Sequence, residues 1–197
     1  MISRRKAIAL VFTCLLTACS GADKPQFIST DITGAPFGKD FQLTDHNGKP
    51  RTLGDFKGKV VLLFFGYTQC PDVCPTTMAD YAAALRQLGP DASQVQVLFV
   101  TVDPERDTPA LLAQYVPAFD PTFLGLYGDA ATLQRTAKEF KIFYQKQPGK
   151  TPASYSMDHT AGTYVYDRRG RIRLYVQYGQ KLDSLVHDLR LLLAEPQ

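Results

Sequence analysis

Val60-Val61-Leu62-Leu63-Phe64-Phe65-Gly66-Tyr67-Thr68-Gln69-Cys70-Pro71-Asp72-Val73-Cys74-Pro75 passes from six unbroken apolar residues, through a glycine, to two cysteines with three residues between them. Such a run reads as a strand buried on both faces, the kind found inside a parallel sheet. Gly66 to Pro75 reads as a loop or helix entry. Met78, Tyr81, Ala82, Leu85 and Leu88 then form the apolar stripe of a helix ending near Leu88. The cysteines therefore fall at the carboxyl end of a strand, where sites collect in open α/β sheets. A helix N-terminus adds partial positive charge and free N–H groups, which favour thiolate. Residues four apart on a helix differ by about 40° in angle and about 6 Å along it, so both sulfurs can face one point. That spacing allows a disulfide or a two-sulfur grip on a soft metal ion. Two inert buried thiols are the plainer alternative.

The surrounding sequence supplies the rest of an α/β fold. Phe41 to Thr44 alternates, Asp45-His46-Asn47-Gly48 is turn chemistry, and Arg51-Thr52-Leu53 reads as the return strand of a hairpin. Val95 to Val102 reads as a second central strand. Thr108-Pro109 is an N-cap with a proline at the first helical position, and Asp129 caps another helix through about Phe140. Thr163–Asp167 and Arg171–Val176 predict a hairpin, and Leu182 to Leu193 a last amphipathic helix. Strands alternating with helices and then closing as a hairpin plus helix predict a mixed central sheet flanked by helices. No linker divides residues 34–197, which read as one domain.

The first residues read as an address. Arg4-Arg5-Lys6 precedes an uncharged stretch from Ala7 to Ala18, about 18 Å as a helix and too short for a hydrocarbon core of about 30 Å. Residues 1–18 thus predict a signal peptide. Leu16-Thr17-Ala18-Cys19 resembles a bacterial lipobox, with Cys19 lipidated, and 19–33 reads as a tether. This predicts a lipid-anchored protein of the bacterial cell envelope, facing the periplasm or the outer side of the cytoplasmic membrane. Without the three leading cations, 19 basic residues face 19 acidic ones, which argues against a nucleic-acid binder driven by a basic field. Cys14 leaves with the signal and Cys19 takes the lipid, so the folded domain keeps only Cys70 and Cys74. Export places that pair in an oxidising compartment. A bridge across so short a loop restricts the unfolded chain little, so chemistry is the better reason for the pair.

Three separated motifs resemble the SCO/SenC family of copper-binding proteins. They are Lys59 through Pro75, Val102-Asp103-Pro104-Glu105-Arg106-Asp107-Thr108-Pro109, and Asp158-His159-Thr160 before a strand. The likeness covers roughly residues 34–195. It implies a thioredoxin-like fold and a copper ion, Cu(I) or Cu(II), held by Cys70, Cys74 and His159. It also implies copper delivery to, or thiol preparation of, the binuclear copper site of cytochrome c oxidase, carried on subunit II. A thioredoxin-like dithiol reductant would then be needed to keep the cysteines open.

The residues agree with that implication. Thiolates select Cu(I), imidazole supports both copper states, and structural zinc would want four protein ligands. His46, in a hairpin turn, and His187, among helix leucines, read as ordinary residues, whereas Asp158 could orient the imidazole of His159. Asp103 to Asp107 reads equally as a constrained turn or as an acidic rim for a partner. Arg168-Arg169-Gly170-Arg171-Ile172-Arg173 reads as a solvated hairpin tip. A membrane-tethered thiol–disulfide oxidoreductase is the alternative function. Three residues, not two, separate the cysteines, and Ala153 to Met157 lacks the proline such enzymes place near the site, although Pro152 lies upstream. A thiol peroxidase is disfavoured because Phe65 to Cys70 lacks the proline of a peroxide-binding loop. The sequence carries no phosphate-binding glycine loop and no nucleophile elbow. Copper carriage without turnover of a small substrate is the leading expectation.

Overall fold

The computed structural model describes residues 26–150 and 154–196. The apolar run folds as β4 (Val60–Gly66), every residue buried, and lies parallel to β5 (Val95–Thr101). β6 (Leu124–Tyr127) extends this parallel set beyond β5. On the other side of β4 the hairpin of β9 (Thr163–Tyr166) and β10 (Ile172–Val176) pairs antiparallel. The outer strands are β1 (Thr30–Asp31) beside β10, and β2 (Leu43–Asp45) with β3 (Pro50–Arg51) beside β6. Among the described residues these eight strands form one mixed sheet, ordered β1-β10-β9-β4-β5-β6-β2-β3.

Four helices flank the sheet among the described residues: α1 (Val73–Leu88), α2 (Pro109–Tyr115), α3 (Ala130–Glu139) and α4 (Leu182–Ala194). The caps expected for two of them are in place. Thr108 accepts a hydrogen bond from the Leu111 N–H, and Asp129 accepts one from the Thr132 N–H. α1 packs on α4. The side chains of β4 alternate between two buried layers. Phe64 packs on Phe99, whereas Phe65 meets Phe140 on the opposite side. The sheet core is therefore dry on both faces, and each fully buried Leu, Val or Phe stabilises it by roughly 1.5–3 kcal/mol. The order of elements and the mixed sheet make the fold thioredoxin-like.

Two segments depart from the sequence reading. Thr30–Asp31 is a strand rather than part of a tether, so the folded domain begins before residue 34. Asp188 on α4, fully buried, fastens this stretch by accepting the N–H groups of Ile28 and Ser29 at 2.9 and 2.8 Å. The expected signal peptide, residues 1–18, and Cys19 lie outside the described residues. The basic hairpin is solvated at Arg169 and Arg171, as the alternation predicts, but not at its base. Arg173 is buried and pairs with Asp167 and Glu195, and Arg171 also bonds Asp167. Arg168 and Arg169 donate to the carbonyls of Glu195 and Pro196, closing the C-terminus onto the sheet. Phe27 lies under the Arg173 guanidinium, 5.4 Å from ring centre to charge.

Candidate metal centre

Gly66 is the last residue of β4, and the chain there passes against a sulfur with no room for a side chain. A Cβ on Gly66 would stand 2.9 Å from the Sγ of Cys74 and 2.8–2.9 Å from the Phe64 and Phe99 rings. After it the chain turns, with the Cys70 N–H donating to the Tyr67 carbonyl at 3.3 Å, and α1 starts only at Val73. Cys70 thus lies in the loop and Cys74 in the first helical turn, not both on one helix as the spacing argument required. The loop itself brings them together: the Cys74 N–H reaches the Cys70 sulfur at 3.4 Å. Both are free thiols. Cys70 is half-buried and Cys74 has no exposure.

Burial pushes the Cys74 thiol well above its ordinary range, with the Tyr67 N–H opposing it only in part. In this apolar setting desolvation disfavours the anion. A proton leaves Cys74 readily only when another positive charge takes its place, as a metal ion would.

His159 comes from a second, separate hairpin, β7 (Tyr144–Pro148) paired with β8 (Tyr155–His159), which the sequence reading had left without strands. The imidazole stands edge-on to Phe64 and Tyr67, at 6.2 and 5.8 Å between ring centres. Its Nδ1 lies 3.0 Å from the Thr160 carbonyl, which selects the tautomer with hydrogen on Nδ1. That leaves the Nε2 lone pair 3.6 Å from the Cys74 sulfur. Burial lowers the His159 pKa, so the ring is held neutral and available to a metal. Asp158 does not perform the orienting role expected of it. Its carboxylate is exposed and accepts instead from the Gln147 side chain at 2.7 Å.

The Asp103–Asp107 segment proves to be the brace of the site. Asp107 is buried and accepts from the Thr68 N–H at 3.0 Å, and from the Thr68 and Thr101 hydroxyls at 2.6 Å each. It thereby fixes the loop two residues before Cys70. Asp103, also buried, takes the Arg106 guanidinium and the Tyr155 hydroxyl, the latter at 2.8 Å. Arg106 lies 3.5 Å over the Tyr155 ring, donates to the Tyr155 carbonyl at 2.8 Å, and reaches the Gln69 side chain at 3.1 Å. One arginine thus ties the cysteine loop to the hairpin bearing His159. Of the expected acidic rim only Glu105 is exposed, bonded to Lys146 at 2.7 Å. Arg106 and Thr160 stand in the quoted motifs without a role of their own and Tyr155 stands outside them, and the pairing of Arg106 with a tyrosine 49 residues away has no local signal.

The two Sγ atoms and the imidazole nitrogen all lie within 4.8 Å of one another, and they form the only group of three or more Cys, His, Asp or Glu donors with this convergence among the described residues. His46 stays apart, accepting the Gly125 N–H at 3.0 Å, and His187 is an exposed neighbour of Asp188. A family model described as SCO1/SenC matches residues 29–194.

The chain belongs to the SCO1/SenC family. It resembles Bradyrhizobium japonicum ScoI with copper bound, with 43% identity and a TM-score of 0.72, over 79% of this chain and 98% of that one. The apo Sco1 of Thermus thermophilus gives 43% identity and a TM-score of 0.75, over 85% and 97%. The bovine mitochondrial SCO2 homologue is 37% identical over 153 residues, 77% of this chain, which spans 58% of that relative's length. In this SCO1/SenC chain the donors are chemically suited to a soft ion. Three donors around one ion, at ~2.0–2.3 Å each, stand about 3.5–4.0 Å apart, so closing on such an ion takes movements of about 1 Å or less.

Proposed function

We propose that this protein is a copper carrier, with copper as its cargo, held by Cys70, Cys74 and His159. The convergence of two thiols and one neutral imidazole, from two segments 85 residues apart, carries this reading. Thiolates suit Cu(I), the imidazole extends the site to Cu(II), and three donors leave a place for an incoming ligand from an acceptor. The copper-bound relative at 43% identity supports the choice of metal. The acceptor we assign is the binuclear copper site on subunit II of cytochrome c oxidase. In this reading Cys19 is lipidated and holds the domain on the outer side of a bacterial membrane. A thioredoxin-like dithiol protein keeps Cys70 and Cys74 reduced, since a disulfide between them would remove both sulfur ligands.

His159→Ala separates copper carriage from thiol–disulfide exchange. Exchange needs only an attacking thiolate and a reachable disulfide, whereas the copper site needs the imidazole, above all for Cu(II). The variant should lose the Cu(II)–thiolate charge-transfer absorption, keep a weaker two-thiolate Cu(I) state, and still form the Cys70–Cys74 disulfide. Copper spectra and affinity equal to the parent protein would remove His159 from the site. A fall in thiol exchange alone would assign the protein to the oxidoreductases.

A further inference from the structure

Among the described residues three large apolar side chains stand exposed, those of Ile28, Phe143 and Tyr178. Two of them share one place. Ile28, 58% exposed, and Tyr178, 45% exposed, line a shallow groove of ≈ 310 Å³ with Ser29, Thr30, Tyr175 and the Gln177–Gln180 turn. No charged side chain lines it. The groove is held in shape. Asp188 accepts the N–H groups of Ile28 and Ser29. The Ser29 hydroxyl donates to the Gln180 side-chain oxygen at 3.1 Å and accepts from its amide nitrogen at 2.8 Å. That pair clamps the N-terminal segment to the turn carrying Tyr178. The turn is closed by the Gln180 N–H on the Gln177 carbonyl at 3.2 Å, with Gly179 at a φ of 79° that only glycine adopts readily. Tyr178 therefore stands at its tip. Single apolar side chains in water are ordinary, but two fixed side by side in an uncharged patch mark a contact surface. The patch also lies at the metal end of the sheet. Val176, just before the turn, pairs with Thr163, and Thr163 with Phe64, two residues before Gly66. Thr77, three residues after Cys74 on α1, lines a small pocket with Tyr178.

We propose that this groove is a membrane-contact site, which seats Ile28 and Tyr178 at the headgroup–acyl boundary of a phospholipid bilayer. The inference rests on the lipid at Cys19 in the function proposed above. Eight residues lead from Cys19 to Phe27, so an acylated Cys19 keeps the groove within about 28 Å of the bilayer. At that reach the second contact is intramolecular, with an effective concentration in the millimolar range, and weak affinity for lipid suffices. The side chains suit the boundary: isoleucine enters the apolar layer, while the tyrosine ring does so with its hydroxyl at the headgroups. A folded protein partner fits less well. Two side chains and a groove of this size offer far less than the about 800 Å² that each side of a stable protein interface buries. Docking at this groove brings the end of the sheet that holds Cys70, Cys74 and His159 to the bilayer surface. β1 stands three strand spacings from β4, so the cysteine-bearing strand end lies about 14 Å to the side of the contact. The cargo is thereby presented along the membrane rather than to bulk solution.

The chain has no tryptophan, so a single introduced one reports alone. Tyr178→Trp and Tyr127→Trp, each made in the full chain and kept metal-free, are reconstituted into phosphatidylethanolamine–phosphatidylglycerol vesicles. Bromine atoms on the acyl chains of these vesicles quench tryptophan on contact. Tyr127 ends β6, five strand spacings from β1 and about 24 Å away, and serves as the reference. Relative to unbrominated vesicles, emission from position 178 should fall about twofold or more, and emission from position 127 should hardly change. Adding Ile28→Ser to Tyr178→Trp should remove the quenching while the thermal melt stays that of the parent, since both positions are exposed. If Tyr178→Trp does not fold, Ile28→Trp places the reporter in the same groove. No quenching at the groove, or equal quenching at both positions, overturns the inference. Mass spectrometry of the same preparation judges the anchor separately. A Cys19 without acyl chains defeats the anchor reading, and the unacylated chain at millimolar lipid still judges the groove by the same two positions. An unquenched groove, with slower copper transfer from Ile28→Ser/Tyr178→Ser to the soluble copper domain of oxidase subunit II, would give the patch to a protein partner and overturn the inference equally.

Discussion

Cys74 meets the tightest steric demand in the site, since its sulfur fills the place where any residue but glycine at position 66 would put a methyl. Gly66→Ala should therefore displace the sulfur or the strand end. A loss of about 1–3 kcal/mol in denaturant unfolding is expected, together with weaker copper retention against a chelator. Removing either thiol has a different signature. Cys70→Ala and Cys74→Ala should each abolish stoichiometric copper binding while the domain still folds. The buried Cys74→Ala should cost about 1 kcal/mol and the half-exposed Cys70→Ala less, read by thermal melts beside copper titrations. Full copper occupancy in either single variant would exclude a two-sulfur site. At this scale the sequence was legible wherever identity alone decides chemistry: two cysteines, and a histidine in a third motif. It was not legible where backbone supplies the partner. The Thr160 carbonyl orients His159, and a carbonyl is present at every residue, so no pattern of side chains could favour it over Asp158.

β4, β5, α1 and the β9–β10 hairpin announce themselves by unbroken apolar runs or clear periodicity, and their bounds follow the pattern within about three residues. The β7–β8 hairpin does not, because its strands lie mostly exposed, with residues such as Gln145, Lys146 and Ser156 facing water. Short β6 has only four residues and Gly125 within them, too little to show a period. A hairpin with little apolar burial must be held by side-chain contacts, and Arg106 supplies them. Arg106→Ala should free the β7–β8 hairpin from the cysteine loop. Amide exchange across Tyr155–His159 should quicken about tenfold or more, with weaker Cu(II) binding and an intact central sheet. Arg106→Lys should rescue only part of this, because an ammonium cannot lie flat on Tyr155 while donating to its carbonyl. Equal exchange in the variant and the parent would show that the hairpin is held by something else.

At the scale of the described domain, its first residues are fastened to its last helix. Asp188 is buried; burial opposes its charge, but the N–H groups of Ile28 and Ser29 outweigh that and hold its carboxyl below the usual range. A lowered folded pKa gives stability that is present above the unfolded value of about 3.9 and lost as pH falls below it. Asp188→Asn should cost about 1–3 kcal/mol at neutral pH in urea unfolding, and the gap from the parent should narrow as pH falls below about 4. A gap independent of pH would mean that the carboxylate charge plays no part. The N-terminal segment so fastened also sets where any tether would attach. Thr30 pairs with Tyr175, Tyr175 with Tyr164, and Tyr164 with Leu63, while the Ser29 and Gln180 side chains hydrogen-bond each other. The attachment is thus level with the middle of β4, about 10 Å short of Gly66 along the strand. From Cys19 to Phe27 the backbone can reach at most about 28 Å. A lipid at Cys19, on a leash longer than the strand itself, would set how far from a membrane the sulfurs can stand and not which way they face.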